Sequence, residues 1–117
     1  MNKYKSLMIV MFFILIFSFS KVNAIVKDQS LLGKTICLDA GHGGVDSGAT
    51  SGNIHEKNIN LEIVNAISKE LVSNGAYVVL TRDGDYELTK TTTMRKRNDL
   101  YKRAMLINSS KCNLYLS

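Results

Sequence analysis

Apolar residues cluster in three short runs beyond residue 34, and each run is typical of a buried strand. The first covers residues 35–38 and ends at Asp39. The second covers residues 76–81, and the third opens at residues 114–116. Runs this short, bounded by polar residues and glycine, favour strands because helices of globular proteins need longer periodic segments. We therefore predict three strands.

Between these runs the apolar spacing changes to three and four residues, which predicts two helices. The first helix begins near Lys57 and ends at Gly75, since glycine suits the left-handed position after a helix. Its apolar face consists of Ile59, Ile63, Val64, Ile67 and Leu71. The second helix stops near residues 108–110. Its apolar face consists of Leu100, Ala104 and Ile107.

The order strand, helix, strand, helix, strand indicates the α/β class, with a parallel sheet and right-handed crossovers. We predict a parallel-sheet three-layer hydrolase-like domain that is truncated after the third strand, because the sequence stops inside that strand at Ser117. Three strands and two helices make a thin core. A last strand without a neighbour would also leave an unpaired sheet edge.

Residues 1–24 have the pattern of a secretory signal peptide. Lys3 and Lys5 precede an apolar stretch over residues 7–19, and Val22-Asn23-Ala24 resembles a cleavage site. As a helix the stretch would span only about 20 Å, short of the roughly 30 Å bilayer core. An uncleaved anchor is the alternative, since Val22 departs from the small residue usual at that position. Either way, we expect the rest of the chain outside the cytoplasm, touching membrane only through this segment.

The net charge of +5 comes partly from the export segment, which holds three lysines. The rest of the chain carries 12 basic and 10 acidic residues, so its charge does not indicate nucleic-acid binding. One dense basic stretch, residues 95–97 with Lys102 and Arg103, is interpreted as the solvated start of a helix. Attraction to an anionic polymer is the alternative.

The two cysteines, Cys37 and Cys112, are too few for a disulfide framework. Both lie in apolar strand-like runs, so two buried free thiols are the simpler prediction. Export would permit a disulfide between them. Their spacing matches no metal motif.

The loop after the first strand, residues 40–53, is the candidate site because ligands bind at the carboxyl ends of strands in α/β sheets. It carries His42 between glycines, which let a ligand approach closely, and it leads to Glu56 at the start of the first helix. A histidine and a carboxylate are typical zinc ligands. From the pattern alone, a turn histidine and a helix-start charge are the simpler interpretations. We expect His55 to be solvent-exposed.

At these residues the sequence resembles the zinc-dependent N-acetylmuramoyl-L-alanine amidases. The resemblance lies in residues 34–44 (KTICLDAGHGG), 46–49 (DSGA), 56–58 (EKN), 79–82 (VLTR), 100–103 (LYKR) with Asn108, and 113–117 (NLYLS). It gives the organisation as a signal peptide over residues 1–24, a lead-in over 25–33 and the N-terminal half of an amidase catalytic domain over 34–117. An export signal directly before a single amidase domain is similar to the germination-specific amidases of spore formers.

The resemblance implies hydrolysis of the amide between N-acetylmuramic acid and L-alanine, with peptidoglycan (glycan strand and stem peptide) as substrate and Zn²⁺ as cofactor. It implies His42 and Glu56 as metal ligands, with a third ligand, a histidine, and a general-base glutamate expected beyond Ser117. Asp39 is a candidate for orienting His42, or else a turn carboxylate. Arg82 is a candidate for gripping a substrate carboxylate, or else an exposed ion pair.

Without the third ligand and the glutamate, the sequence as it stands is expected to be inactive. The alternative function is a catalytically dead protein that binds peptidoglycan or assists a complete amidase. A small anchored protein without a specific ligand is the third hypothesis. We expect a monomer in the cell wall or spore cortex, without a nucleic-acid partner.

Overall fold

The computed structural model describes residues 4–5, 7–12 and 29–117. Residues 4–5 and 7–12 are helical and exposed. The remaining residues of the predicted export segment lie outside the described residues, so the signal peptide stays a prediction. None of the helices within the described ranges has both the length and the apolar character that crossing a membrane requires.

Five strands and two helices make up residues 29–117. In chain order they are β1 (Thr35–Leu38), β2 (Thr50–Ser51), β3 (Ile54–His55), α1 (Glu56–Ser73), β4 (Tyr77–Leu80), α2 (Arg95–Ser110) and β5 (Leu114–Leu116). The predicted α/β class is confirmed. The pair β2–β3 was not predicted; it is a two-residue antiparallel hairpin that leads the loop into α1.

The main sheet has the order β4-β1-β5, and both pairs of strands are parallel. β1 is therefore central, and its carboxyl end is flanked on both sides by neighbouring strands. The amide of Asp39 continues this pairing by donating to the Leu116 carbonyl at 2.8 Å, and the amide of Thr81 donates to the Leu38 carbonyl at 3.0 Å. The chain that follows β1 thus starts from a fixed position.

The buried core lies between α1 and one face of the sheet. It consists of Ile36, Leu38, Ala40, Val64 and Ala76, with Leu31, Leu61, Leu71, Val78 and Leu80 packed around it. The predicted apolar face of α1 is only partly right. Val64 and Leu71 face the sheet, whereas the stripe of Ile59, Ile63 and Ile67 is 36–52% exposed. Successive helical residues turn by about 100°, which places that stripe to one side of the packed face.

The opposite face of the sheet carries a disulfide between Cys37 and Cys112. The prediction of two free thiols is therefore wrong. Cys112 lies just before β5, which pairs directly with β1, so the two Cα atoms are 5.8 Å apart. That spacing lies within the range a disulfide needs. The apolar runs alone did not reveal which strands would be neighbours.

Candidate functional site

His42 lies three residues after Asp39, the residue that follows the central strand β1. Its backbone is in the left-handed region, with a φ of 60°. This conformation is uncommon for a residue other than glycine. A tight turn follows, in which the amides of Gly43 and Asp46 each donate to the other's carbonyl, at 2.9 and 3.1 Å. The turn returns the Asp46 carboxylate to the imidazole, where its Oδ2 atom lies 3.0 Å from His42 Nδ1.

Glu56 is the first residue of α1, and the loop fixes it through two backbone contacts. Its amide donates to the Ala49 carbonyl at 2.9 Å, and its Oε2 atom accepts from the Ala49 amide at 2.8 Å. The hydrogen bond from the Ala49 amide, followed by the charge of His42, lowers the pKa of Glu56 below its ordinary value. The carboxylate is thus held ionised in one place.

The two predicted ligands meet: His42 Nε2 lies 3.4 Å from Glu56 Oε2. Because Asp46 occupies Nδ1, the Nε2 atom is the one that faces the carboxylate. The hydrogen bond with His42 also lowers the pKa of Asp46. Two ligands that each lie about 2.0–2.1 Å from a tetrahedral zinc are about 3.4 Å apart, so the pair fits two corners of such a site.

A larger metal cluster is not found nearby. Across residues 4–5, 7–12 and 29–117, no group of three or more His, Cys, Asp or Glu side chains could hold an ion. A catalytic zinc usually has three protein ligands. His42 and Glu56 would account for two of these, and their role as ligands stays a prediction.

Asp39 does not orient His42, which corrects that prediction. Its carboxylate is buried and accepts from Thr81 Oγ1 at 2.5 Å and Arg103 Nη1 at 2.6 Å. Asp46 takes the orienting position instead. Such a carboxylate on the far nitrogen of a ligand histidine fixes the ring and its tautomer. The DSG triplet shortly after the histidine is the sequence signal for this local partner.

The prediction for Arg82 is also corrected by the structure. It is neither an exposed ion pair nor open to a substrate carboxylate, because only 1% of its surface is accessible. Within the described residues it makes four hydrogen bonds, all to main-chain carbonyls. Arg103, assigned to a solvated basic stretch, is likewise buried, and its guanidinium contacts Asp39, Asp99 and the carbonyls of Ala40 and His42.

His55 also departs from its predicted exposure. It is partly buried, and its Nδ1 atom has no hydrogen-bond partner among the described residues. As the residue before α1 it has an extended backbone, and its side chain gives the helix no capping hydrogen bond. The helix start is satisfied by the loop instead, since the Lys57 amide donates to the Ser47 carbonyl at 3.1 Å.

Two concave spaces of about 550 and 590 Å³ adjoin His42. The first is lined by two residues of the exposed stripe of α1, Ile63 and Ile67, together with Glu56. The second is lined by charged groups, including Asp46 and Lys96, whose ammonium lies 3.2 Å from the carboxylate. The histidine thus stands between an apolar and a charged surface.

Gly48 leaves the room that the pair needs. A Cβ atom there would lie 2.6 Å from Glu56 Oε2 and 2.8 Å from His42 Cδ2, and its φ is 65°. We expect Gly48→Ala to displace the pair and to lower the free energy of unfolding by more than the roughly 1–2 kcal/mol of left-handed strain. Denaturant unfolding and the NMR signals of the His42 ring measure the two effects.

Gly52→Ala is the matched control, because Gly52 has a similar φ of 56° and nothing within 4 Å of an added Cβ. It should show the strain alone and leave the His42 signals unchanged. Equal effects of the two substitutions would contradict the steric argument.

The fold and the site define an α/β domain with a histidine–glutamate pair at the carboxyl end of its central strand. Residues 36–117 match the family model described as N-acetylmuramoyl-L-alanine amidase. The chain is 44% identical over 91 residues to the germination-specific N-acetylmuramoyl-L-alanine amidase of Bacillus subtilis, covering 74% of this chain and 38% of that protein. It is 40% identical over 89 residues to the endolysin of Bacillus phage SPP1, covering 74% and 28%.

A solved structure gives the same result. The CwlD amidase from Clostridioides difficile, in complex with the GerS lipoprotein, is 39% identical with a TM-score of 0.67, over 71% of this chain and 46% of that one. The chain therefore belongs to the N-acetylmuramoyl-L-alanine amidase family, as the resemblance predicted. It spans less than half the length of these relatives.

Proposed function

We propose that this chain carries part of the active site of a zinc-dependent N-acetylmuramoyl-L-alanine amidase, with peptidoglycan as substrate. The observation that carries the proposal is the 3.4 Å approach of His42 Nε2 to Glu56 Oε2 at the carboxyl end of β1. A bound zinc would polarise the substrate carbonyl and lower the pKa of a coordinated water to about 7.

The residues of the chain prepare this site in three ways. Asp46 holds Nδ1 of His42, so that Nε2 is left to bind the metal. The Ala49 amide keeps Glu56 in its ionised form. The apolar stripe on α1 and the charged surface around Lys96 form the two walls beside the pair.

We also propose that the protein acts outside the cytoplasm, at the cell wall. The Cys37–Cys112 disulfide supports this location, because such bonds persist in oxidising compartments. The similarity to a protein of Staphylococcus epidermidis described as a probable cell wall amidase supports it as well. A monomeric state stays a prediction.

The test is a titration of the chain with Zn²⁺, alongside His42→Ala and Glu56→Gln. We expect saturable binding by the unsubstituted chain and its loss in both variants, while far-ultraviolet circular dichroism shows that they remain folded. Asp85→Asn is the control, since Asp85 contacts Lys57 and Gly44 rather than the pair. Zinc binding that persists in both ligand variants would overturn the assignment.

A cell-wall assay separates hydrolysis from binding alone. Release of muropeptides with zinc, abolished by a chelator, would establish the amidase reaction for this chain. Co-sedimentation with peptidoglycan without release would favour the alternative function, a binding or amidase-assisting protein.

A further inference from the structure

Arg82 is a buried cation whose hydrogen bonds all go to main-chain carbonyls. Its Nε atom donates to Ala40 at 2.7 Å, Nη1 donates to Gly84 at 2.9 Å, and Nη2 donates to Gly41 at 2.9 Å and to Lys57 at 2.7 Å. Among the ion pairs of the described residues, none includes Arg82. Burying a charge in this way is costly, so its placement calls for an explanation beyond packing.

The carbonyls that Arg82 binds belong to both segments of the candidate site. Ala40 and Gly41 directly precede His42, and Lys57 directly follows Glu56. One nitrogen, Nη2, bridges the Gly41 and Lys57 carbonyls. The planar guanidinium is rigid, so it fixes the backbone before one candidate ligand relative to the backbone after the other.

The chain after His42 rests on the same side chain. A Cβ atom on Gly43 would lie 2.5 Å from the Tyr86 carbonyl oxygen, and 3.0 Å and 3.1 Å from Arg82 Nε and Cδ. Glycine is therefore needed here chiefly because of Tyr86, and the backbone that follows His42 also passes close to the Arg82 side chain. This contact helps to explain why a residue with a side chain adopts a φ of 60° at this position.

Arg103 makes a useful comparison. It donates to the carbonyls of Ala40 and His42, and its other contacts are the carboxylates of Asp39 and Asp99. Its hydrogen bonds thus hold the His42 segment, and none of them goes to α1. Of these two arginines, Arg82 is the one that ties the His42 segment to the helix that carries Glu56.

We propose that Arg82 is a positioning residue that sets the spacing between His42 Nε2 and Glu56 Oε2 and thereby the affinity of the site for its metal. The inference rests on the proposed function of that pair. Lysine at this position would keep the charge but lose the planar fork, so it could not hold the carbonyls of both segments at once. Outer groups that orient metal ligands typically change affinity by about 10- to 100-fold when they are replaced.

The experiment compares the full chain with Arg82→Lys and Arg82→Gln, using Co²⁺ as the probe. Its visible absorption reports coordination geometry, and a titration gives the affinity. Ile36→Ala is the control for stability, because Ile36 is buried in the core and lines neither space beside His42. We expect all three variants to unfold at lower denaturant, and only the Arg82 variants to bind Co²⁺ about 10- to 100-fold more weakly with an altered spectrum.

A metal-free measurement separates this inference from the proposed function. In the unloaded protein, the NMR chemical shifts of the His42 backbone report its left-handed conformation, and they should change in Arg82→Lys but not in Ile36→Ala. If the unsubstituted chain fails to bind Co²⁺, the proposed function fails, and these shifts alone decide the role of Arg82. Unchanged shifts, or unchanged Co²⁺ affinity and spectrum, would overturn the inference. Loss of folding in both Arg82 variants would also overturn it, because Arg82 would then serve the fold rather than the site.

Discussion

Reducing the Cys37–Cys112 disulfide should lower the free energy of unfolding by about 4 kcal/mol. The bond joins residues 75 apart in sequence, so it removes much of the conformational freedom of the unfolded chain. It also ties the central strand β1 to the segment that enters β5, in a domain with a thin core. Urea unfolding of the oxidised and reduced chain, followed by circular dichroism, measures the difference.

The control is a double variant, Cys37→Ala with Cys112→Ala. Its unfolding midpoint should match that of the reduced chain approximately and should not respond to reductant. If reductant leaves the midpoint of the unsubstituted chain unchanged, the bond does not contribute to stability.

Replacing Arg103 by Met should destabilise the domain by about 3–5 kcal/mol, because it leaves buried carboxylates without their cation. Arg103 donates to Asp39 at 2.6 Å and to Asp99 at 2.7 Å, and each of the three side chains is at most 12% exposed. The carbonyls of Ala40 and His42 would lose a donor as well. Chemical denaturation measures the loss.

A triple variant tests the cause of that loss. Adding Asp39→Asn and Asp99→Asn to Arg103→Met removes the unpaired charges and should recover part of the stability. No recovery would indicate that the loss comes from packing or from the carbonyls, rather than from the carboxylates.

The sequence predicted the three parallel strands of the main sheet and the two helices, because these depend on periodicity and element order along the chain; it did not predict the short β2–β3 hairpin. The residue pattern placed His42 in the loop after a strand and Glu56 at the start of the following helix, at the carboxyl end of the sheet. Their pairing as metal ligands came from the resemblance to the amidases, because a turn histidine and a helix-start charge were the simpler interpretations of the pattern alone.

What the sequence did not predict depends on contacts between distant segments. The Cys37–Cys112 bond follows from the pairing of β1 with β5, which spacing does not reveal. Arg82 and Arg103 were expected at the surface, since charged side chains are mostly exposed. In the fold they are buried instead, and both donate to carbonyls of the segment after β1, Ala40 and His42.

If the chain acts outside the cytoplasm, as proposed above, the disulfide also has a consequence for its export. In the reducing cytoplasm the two thiols stay apart, so the newly made polypeptide lacks its strongest cross-link. It is then easier to keep unfolded, which is the state in which a secreted chain is threaded through a translocation pore. After transfer, oxidation would close the bond and make the folded form hard to reverse, which helps translocation to proceed in one direction.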